Sequence, residues 1–176
     1  MIAEGKNDLE SDPILIVVFR GTGRSWEWRM NLDFFLTPWD RAQSMVHRGF
    51  KKRLELVWDK VNRFLDETKH SFIFYGGHSQ GAAVATLASS TRPPGALYTF
   101  GCPRVGDDRF VKSLANITVF RIVNCLDLVT RVPFEMGSSF QYRHVGEIYY
   151  INRDGVLNRS SETDISKDRV ECGNSS

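Results

Sequence analysis

Phe72-Ile-Phe-Tyr-Gly-Gly-His-Ser-Gln-Gly-Ala-Ala-Val-Ala-Thr-Leu-Ala-Ser89 is the stretch of sequence that decides the fold. Its apolar start, residues 72–75, predicts a short buried strand, and its small residues, 82–89, predict a helix. Between them, residues 77–81 form a G-x-S-x-G pattern centred on Ser79. A strand, a serine between glycines and a helix together indicate a nucleophile elbow, in which the glycines permit a sharp turn and the serine hydroxyl projects from the top of a sheet.

The composition predicts a single domain, residues 1–176, with 41% hydrophobic residues and therefore enough apolar material for one core. The net charge of +2 and the scattered basic residues do not indicate a nucleic-acid partner. No apolar run approaches membrane-spanning length, so we expect no transmembrane segment, and the absence of a secretory signal favours the cytoplasm. Three cysteines, an odd number without the spacing of a metal site, favour a reducing compartment and predict neither metal nor cofactor.

Apolar runs and amphipathic stretches alternate along the chain. Strands are predicted at residues 14–19, 96–100, 118–123 and 145–151 in addition to 72–75, and the first run, without polar alternation, predicts a strand buried on both faces. A helix is predicted from about Gly49, and residues 154–176 are predicted to be a polar, loosely structured tail. The alternation predicts an α/β fold with a mostly parallel sheet flanked by helices. The apolar stripe of the predicted helix consists of Phe50, Leu54, Val57, Val61 and Phe64.

In such sheets, functional groups gather beyond the carboxyl ends of the strands. Ser79 follows one predicted strand and Asp127 follows a later one, which matches the chain order of nucleophile and acid in α/β-hydrolases. A serine needs a base to take its proton, and that base needs an acid to hold its tautomer. We therefore interpret Asp127 as the acid; the alternative is that it only caps a turn.

Six short blocks occur in order over residues 14–151. They are Val18-Phe-Arg-Gly-Thr22, Val46-His-Arg-Gly-Phe50, Gly77-His-Ser-Gln-Gly81, Tyr98-Thr-Phe-Gly-Cys-Pro-Arg-Val-Gly106, Phe120-Arg-Ile-Val-Asn-Cys-Leu-Asp127 and Tyr142-Arg-His-Val-Gly-Glu147.

These blocks resemble the signature blocks of the class 3 (fungal-type) lipases. The resemblance implies an α/β-hydrolase fold and hydrolysis of carboxylic esters in acylglycerol-type lipids, at a lipid–water interface, without a cofactor. It also implies that Ser79 is the nucleophile, Asp127 the acid, and Thr22 and Gln80 the residues of the oxyanion hole. The family more often has Leu at position 80, but the hole needs only the backbone N–H there.

The aromatic segment 26–39 matches the position of the family's lid. Trp28, Leu32, Phe35 and Trp39 fall at helical spacing, and the segment is either a mobile lid with aromatics over the site or simply part of the core.

The catalytic histidine is the residue that the sequence does not supply. Of the four histidines, only His144 follows Asp127, and the family's catalytic histidine lies in a later Asp-His-x-x-Tyr type segment that has no counterpart after residue 151. His144 could act as the base only if its strand ran antiparallel and began at the catalytic edge. We expect the chain to lack terminal segments of the family, which leaves three hypotheses: an active lipase, a catalytically silent lipid- or acyl-binding domain, and a phospholipase A1-type hydrolase.

Overall fold

A computed structural model describes residues 2–6, 13–21, 35–39, 43–125, 127, 130, 142–161 and 165. These residues form nine strands and three helices. In chain order they are β1 (Ile2–Lys6), β2 (Pro13–Phe19), β3 (Leu36–Trp39), β4 (Ser44–His47), α1 (Arg48–Glu67), β5 (Phe72–His78), α2 (Gln80–Thr91), β6 (Ala96–Phe100), α3 (Asp108–Ser113), β7 (Thr118–Asn124), β8 (Glu147–Ile151) and β9 (Leu157–Arg159).

Seven of the strands form one sheet in the order β1-β2-β5-β6-β7-β8-β9. The five central strands, β2 to β8 in this order, are parallel, and β1 and β9 join the two edges in antiparallel fashion. The prediction of a mostly parallel sheet flanked by helices is confirmed. The carboxyl ends of β2, β5, β6 and β7 therefore meet at one edge of the sheet, where functional groups are expected.

Helix α2 covers one face of the central strands. Every residue of α2 from Gln80 to Ser90 is buried, because its small side chains let the helix lie close to β2, β5 and β6. Helix α1 packs on α2. The apolar stripe predicted for α1 is only partly correct: Phe50, Leu54 and Leu65 are buried, whereas Val57 is exposed.

The central strands alternate between a covered face and an open face. Leu15 and Val17 of β2 belong to the buried core beneath α2, while Ile16 and Val18 are exposed on the other side. The prediction that this strand is buried on both faces is therefore wrong for the described residues. The prediction rested on the apolar composition of β2, which is typical of strands with two covered faces.

Three local predictions also differ from the structure. Part of the segment read at helical spacing, Leu36–Trp39, is a strand that pairs antiparallel with β4, while residues 26–34 lie outside the described residues. Pro38 explains this difference, because a proline inside a helix removes a hydrogen bond and clashes with the preceding turn. Strand β1 lies in a stretch for which the sequence predicted no element, and β9 lies in the predicted polar tail.

Candidate active site

Ser79 lies at the junction of β5 and α2 in a strained backbone conformation. Its φ is 55° and its ψ is −124°, a combination that residues with a Cβ rarely adopt. Its N–H donates to the carbonyl of Phe100 at 2.8 Å, and its carbonyl accepts from the N–H of Ala82 at 3.0 Å. Such strain costs on the order of 1–3 kcal/mol and persists only where the surroundings impose it.

Three glycines impose the conformation by letting backbone approach backbone. A Cβ on Gly77 would lie 2.5 Å from the carbonyl carbon of Gly81, and a Cβ on Gly81 would overlap the carbonyl oxygen of Phe19. A Cβ on Gly21 would lie 2.7 Å from the carbonyl oxygen of His78. Real Cβ atoms do not tolerate these distances. The end of β2, the end of β5 and the first turn of α2 can therefore approach each other this closely only because glycine occupies all three positions.

The hydroxyl of Ser79 is buried and has no hydrogen-bond partner among the described residues. All four histidines of the sequence are described, so none of them is bonded to Ser79 Oγ. A general base must come within hydrogen-bond reach of the proton that it takes. No histidine therefore lies in hydrogen-bond contact with Ser79, the predicted nucleophile.

His144 is bonded elsewhere. Its Nε2–H donates to the carbonyl of Thr130 at 2.9 Å. The strand that follows it, β8, runs parallel to β7, so the antiparallel arrangement that a catalytic His144 required does not occur. His144 comes before the amino end of β8, whereas Ser79 and Asp127 follow carboxyl ends of their strands.

Two other histidines have structural contacts. His47 is the N-cap of α1, and its Nδ1 accepts from the N–H groups of Gly49 and Phe50 at 3.0 and 3.3 Å. The Nδ1–H of His70 donates to the carbonyl of Thr68 at 2.6 Å. The remaining histidine, His78, ends β5 with an exposed side chain.

Asp127 lies at the same edge of the sheet as Ser79, two strands away. Its N–H donates to the carbonyl of Asn124, the last residue of β7, at 3.1 Å, and its own carbonyl accepts from Thr130 Oγ1 at 3.0 Å. Its carboxylate lies directly against the Cα of Gly101, the residue that follows β6, so a Cβ there would overlap Oδ2. Gly101 has a φ of +56°, which also favours glycine.

Gly101 is a site residue to which sequence reasoning gave no role. It separates the carboxylate of Asp127 from the elbow, and the same hypothetical Cβ would lie 3.7 Å from Nε2 of His78. The sequence did offer one indication: Gly101 directly follows the predicted strand 96–100, as Ser79 follows its own predicted strand, so both residues were expected at the same edge of the sheet.

The residues proposed for the oxyanion hole are only partly described. Gln80 is buried and begins α2, so its N–H is one of the first-turn donors that a helix does not satisfy internally. Thr22 lies outside the described residues, but its neighbour Gly21 contacts the elbow at His78. The roles of Ser79, Gln80, Thr22 and Asp127 thus stay predictions.

Burial disfavours a nucleophilic role for the cysteine next to Gly101. Cys102 is fully buried, and burial raises the pKa of its thiol to about 12, with Asp127 adding to the rise while Thr86 and Arg121 oppose it. Within the described residues, no cluster of His, Cys, Asp or Glu could hold a metal ion. No helix in that part of the chain is long and apolar enough to cross a membrane.

Comparison with known proteins points to one family. Residues 16–137 match the sequence model described as Lipase (class 3). The chain is 30% identical over 168 residues to the lipase of Rhizomucor miehei, covering 86% of this chain and 44% of that protein. It is 31% identical over 157 residues to phospholipase A1-II 4 of Oryza sativa subsp. japonica, covering 68% of this chain and 40% of that protein.

The fold is similar to that of solved lipases. The crystal structure of the lipase from Rhizopus microsporus var. chinensis superposes with a TM-score of 0.71 at 22% identity, covering 94% of this chain and 71% of that one. The chain therefore spans less than half of the curated relatives named above, and less than three quarters of this solved neighbour.

Proposed function

The chain belongs to the class 3 lipase family, whose members are lipase-type ester hydrolases, and on that basis we propose that it hydrolyses carboxylic esters of acylglycerol-type lipids through an acyl-serine intermediate. The observation that carries the proposal is the backbone of Ser79, with φ 55° and ψ −124° between β5 and α2. A structural serine in that position would gain nothing from the strain, whereas a nucleophile gains a hydroxyl held at the carboxyl edge of the sheet, where functional groups gather.

In the proposed reaction, Ser79 Oγ attacks the ester carbonyl carbon and gives up its proton to a base. The oxyanion that forms accepts hydrogen bonds from the N–H of Gln80 and from Thr22, each worth about 3 kcal/mol in the transition state. Collapse of the tetrahedral intermediate breaks the carbon–oxygen bond to the alcohol, which leaves with the proton. Water then attacks the acyl-serine in the same way and releases the fatty acid.

Asp127 would orient the base and stabilise its charged form. None of the four histidines is bonded to Ser79, so we propose that the base reaches the serine by rearrangement on substrate binding or is supplied by a further segment of polypeptide. Loss of the histidine in a serine hydrolase lowers kcat by roughly a million-fold. We therefore propose that residues 1–176 alone turn over esters very slowly.

A fluorophosphonate probe tests the nucleophile directly. We expect the purified chain to become labelled only slowly, because no base among the described residues contacts Ser79, and labelling to vanish in Ser79→Ala but to persist in Ser89→Ala, a buried serine of α2 whose hydroxyl donates to the carbonyl of Ala85. Labelling that survives Ser79→Ala, or no labelling after prolonged incubation, would refute the nucleophile. The second result would favour the catalytically silent lipid- or acyl-binding domain, which the unpaired Ser79 hydroxyl also supports.

The phospholipase A1-type reaction is the alternative for the head group. It is supported by the similarity to the rice phospholipase over 68% of this chain. Release of fatty acid from two substrates with a single acyl ester each distinguishes the two reactions: a phosphatidylcholine analogue whose acyl ester is at the first position, and a monoacylglycerol with the same acyl chain. Faster release from the phospholipid would favour the phospholipase reaction.

A further inference from the structure

Helix α1 has an inner side and an outer side. It packs on α2 and β4, and Phe50, Leu54 and Leu65 are buried on the inner side. The opposite side is exposed and carries four basic residues: Lys52, Arg53, Lys60 and Arg63. The basic residues are scattered along the sequence, but the helix gathers these four on one surface, because residues three, four or seven apart share a face.

Leu56 lies at the centre of this surface and is 78% exposed. Its neighbours on the helix surface, three, four or seven residues away, are Lys52, Arg53, Asp59, Lys60 and Arg63. We refer to Leu56 and these five residues as the outer face of α1. Four cations and one carboxylate give the outer face a net charge of +3.

None of the four cations of the outer face forms an ion pair or a hydrogen bond with a described residue. On the flank of the same helix, by contrast, Lys51 pairs with Glu55 at 4.0 Å, and Asp66 pairs with Arg92 of α2. Within the outer face, Lys60 and Arg63 lie three residues apart, a spacing at which like charges slightly destabilise a helix. Stability of the helix therefore does not account for this arrangement of charges.

The charges of the outer face restrict what can lie against it. Lys and Arg are almost never fully buried unless they are paired, because an unpaired charge loses its hydration. Polypeptide that packed here as part of a core would bury four such cations. The outer face is therefore suited to water or to an anionic partner.

The exposed leucine distinguishes between anionic partners. Nucleic-acid backbones are contacted through cations and polar groups, whereas the head-group layer of a lipid surface also takes up apolar side chains between its phosphates. A basic helix face with an apolar residue at its centre is typical of helices that bind membrane surfaces.

We propose that the outer face of α1 docks the chain on a lipid surface that contains anionic phospholipid, with the cations on the phosphates and Leu56 between the head groups. The choice of a lipid rests in part on the proposed function, whose substrates are lipid esters. Helix α1 begins near the carboxyl edge of the sheet, because the N–H of its N-cap, His47, donates to the carbonyl of Val105, beyond β6, at 2.9 Å. Docking through α1 thus holds the edge with Ser79 close to the lipid.

Cosedimentation of Ser79→Ala protein with vesicles tests the proposal without hydrolysis. At about 0.1 M salt we expect binding to phosphatidylcholine vesicles in which about one third of the lipid is phosphatidylglycerol, and no binding to phosphatidylcholine alone. Lys52→Gln combined with Lys60→Gln should weaken binding by about 25-fold, since each cation near an anionic surface contributes about fivefold. Leu56→Ala should weaken it by at least about fivefold, because less apolar surface enters the head-group layer.

Matched controls remove the same groups elsewhere. Lys69→Gln combined with Lys112→Gln takes two exposed cations from outside α1, and Leu157→Ala truncates a leucine of β9 that is 54% exposed. Both controls should bind the anionic vesicles within about twofold of the Ser79→Ala protein, because charges farther away than a Debye length are largely screened.

Three results would overturn the proposal. The first is equal binding to neutral and anionic vesicles, and the second is an equal loss of binding in the control and test variants. The third is unchanged vesicle binding in Leu56→Ala together with equal losses of vesicle and single-stranded RNA binding in the Lys52 and Lys60 variant, which would identify a general polyanion site. The fluorophosphonate reaction reports on Ser79 alone, so vesicle binding by a chain that is never labelled would refute the proposed hydrolysis and support the docking surface.

Discussion

Substitution of Ser79 should stabilise the protein, which is the reverse of the usual effect of changing a buried residue. Two features of Ser79 oppose folding: its backbone at φ 55° and ψ −124°, and its buried hydroxyl without a partner among the described residues. Ser79→Ala removes the second feature and keeps the first. Ser79→Gly removes both.

The two features give separate magnitudes. A buried hydroxyl without a hydrogen bond costs about 1–3 kcal/mol, so Ser79→Ala should raise the free energy of unfolding by about 1 kcal/mol or more. Relief of strain contributes about 1–3 kcal/mol further in Ser79→Gly, and the greater entropy of glycine in the unfolded chain subtracts about 0.5–1 kcal/mol. Glycine should therefore exceed alanine by roughly 1 kcal/mol, or about 2–4 °C in Tm for a chain of this size.

Urea unfolding of the two variants measures this difference, with Ser89 as the matched control. Ser89 is also buried in α2, but its hydroxyl is bonded to Ala85 and its backbone is helical. At that position glycine should be less stable than alanine by about 1 kcal/mol, the opposite order. If both Ser79 variants are less stable than the original chain, or if alanine exceeds glycine at position 79, the serine is not strained and the reasoning fails.

Three further predictions concern the packing around the elbow. Gly81→Ala should lower the free energy of unfolding in urea by about 3 kcal/mol or more, because its Cβ would overlap the backbone at the end of β2. Gly95→Ala is the control: its Cβ would lie 3.5 Å from the nearest atom, so the free energy of unfolding should change by less than about 1 kcal/mol. Burial raises the pKa of Tyr75 to about 12 from 10.0, partly opposed by Arg92, so the contribution of the neutral phenol to stability is complete below pH 10 and is lost as the pH rises from 10 towards 12. The free energy of unfolding of Tyr75→Phe should therefore fall less steeply between about pH 9 and 12 than that of the original chain. An unchanged slope would exclude Tyr75 as the cause. Since burial raises the pKa of Cys102 to about 12, roughly one molecule in ten thousand carries the thiolate at pH 8, and iodoacetamide followed by mass spectrometry should find Cys102 unmodified in the native protein and modified in urea.

The parts of the fold that the sequence predicted are those with local causes. Glycine spacing around Ser79 predicts the elbow because Gly77 and Gly81 must contact backbone, and the small residues of α2 predict a helix close to the sheet. The apolar periodicity predicted α1 from about Gly49, and it begins at Arg48. The order of strands and helices predicted a mostly parallel sheet.

The errors arise where a distant partner decides the outcome. Phe35 and Trp39 have helical spacing, but Leu36–Trp39 pairs with β4, and the sequence of the segment alone does not reveal that partner. β1 forms by pairing with β2 although its own sequence gave no strand signal. The exposure of Val18 could not be predicted either, since an apolar strand carries no mark of which face is covered.

The same distinction separates the elbow from its base. The elbow is fixed by glycine contacts within and beside α2, so the strain at Ser79 exists whether or not an imidazole is near. A base meets the serine only through tertiary approach, and a histidine in the sequence does not provide one: His47 caps α1, and His144 donates to Thr130. It follows that strain and reactivity at Ser79 can be separated by experiment. The stability gain of Ser79→Gly should appear even in a chain that turns over no ester, and only the fluorophosphonate reaction reports whether the strained hydroxyl is also an activated one.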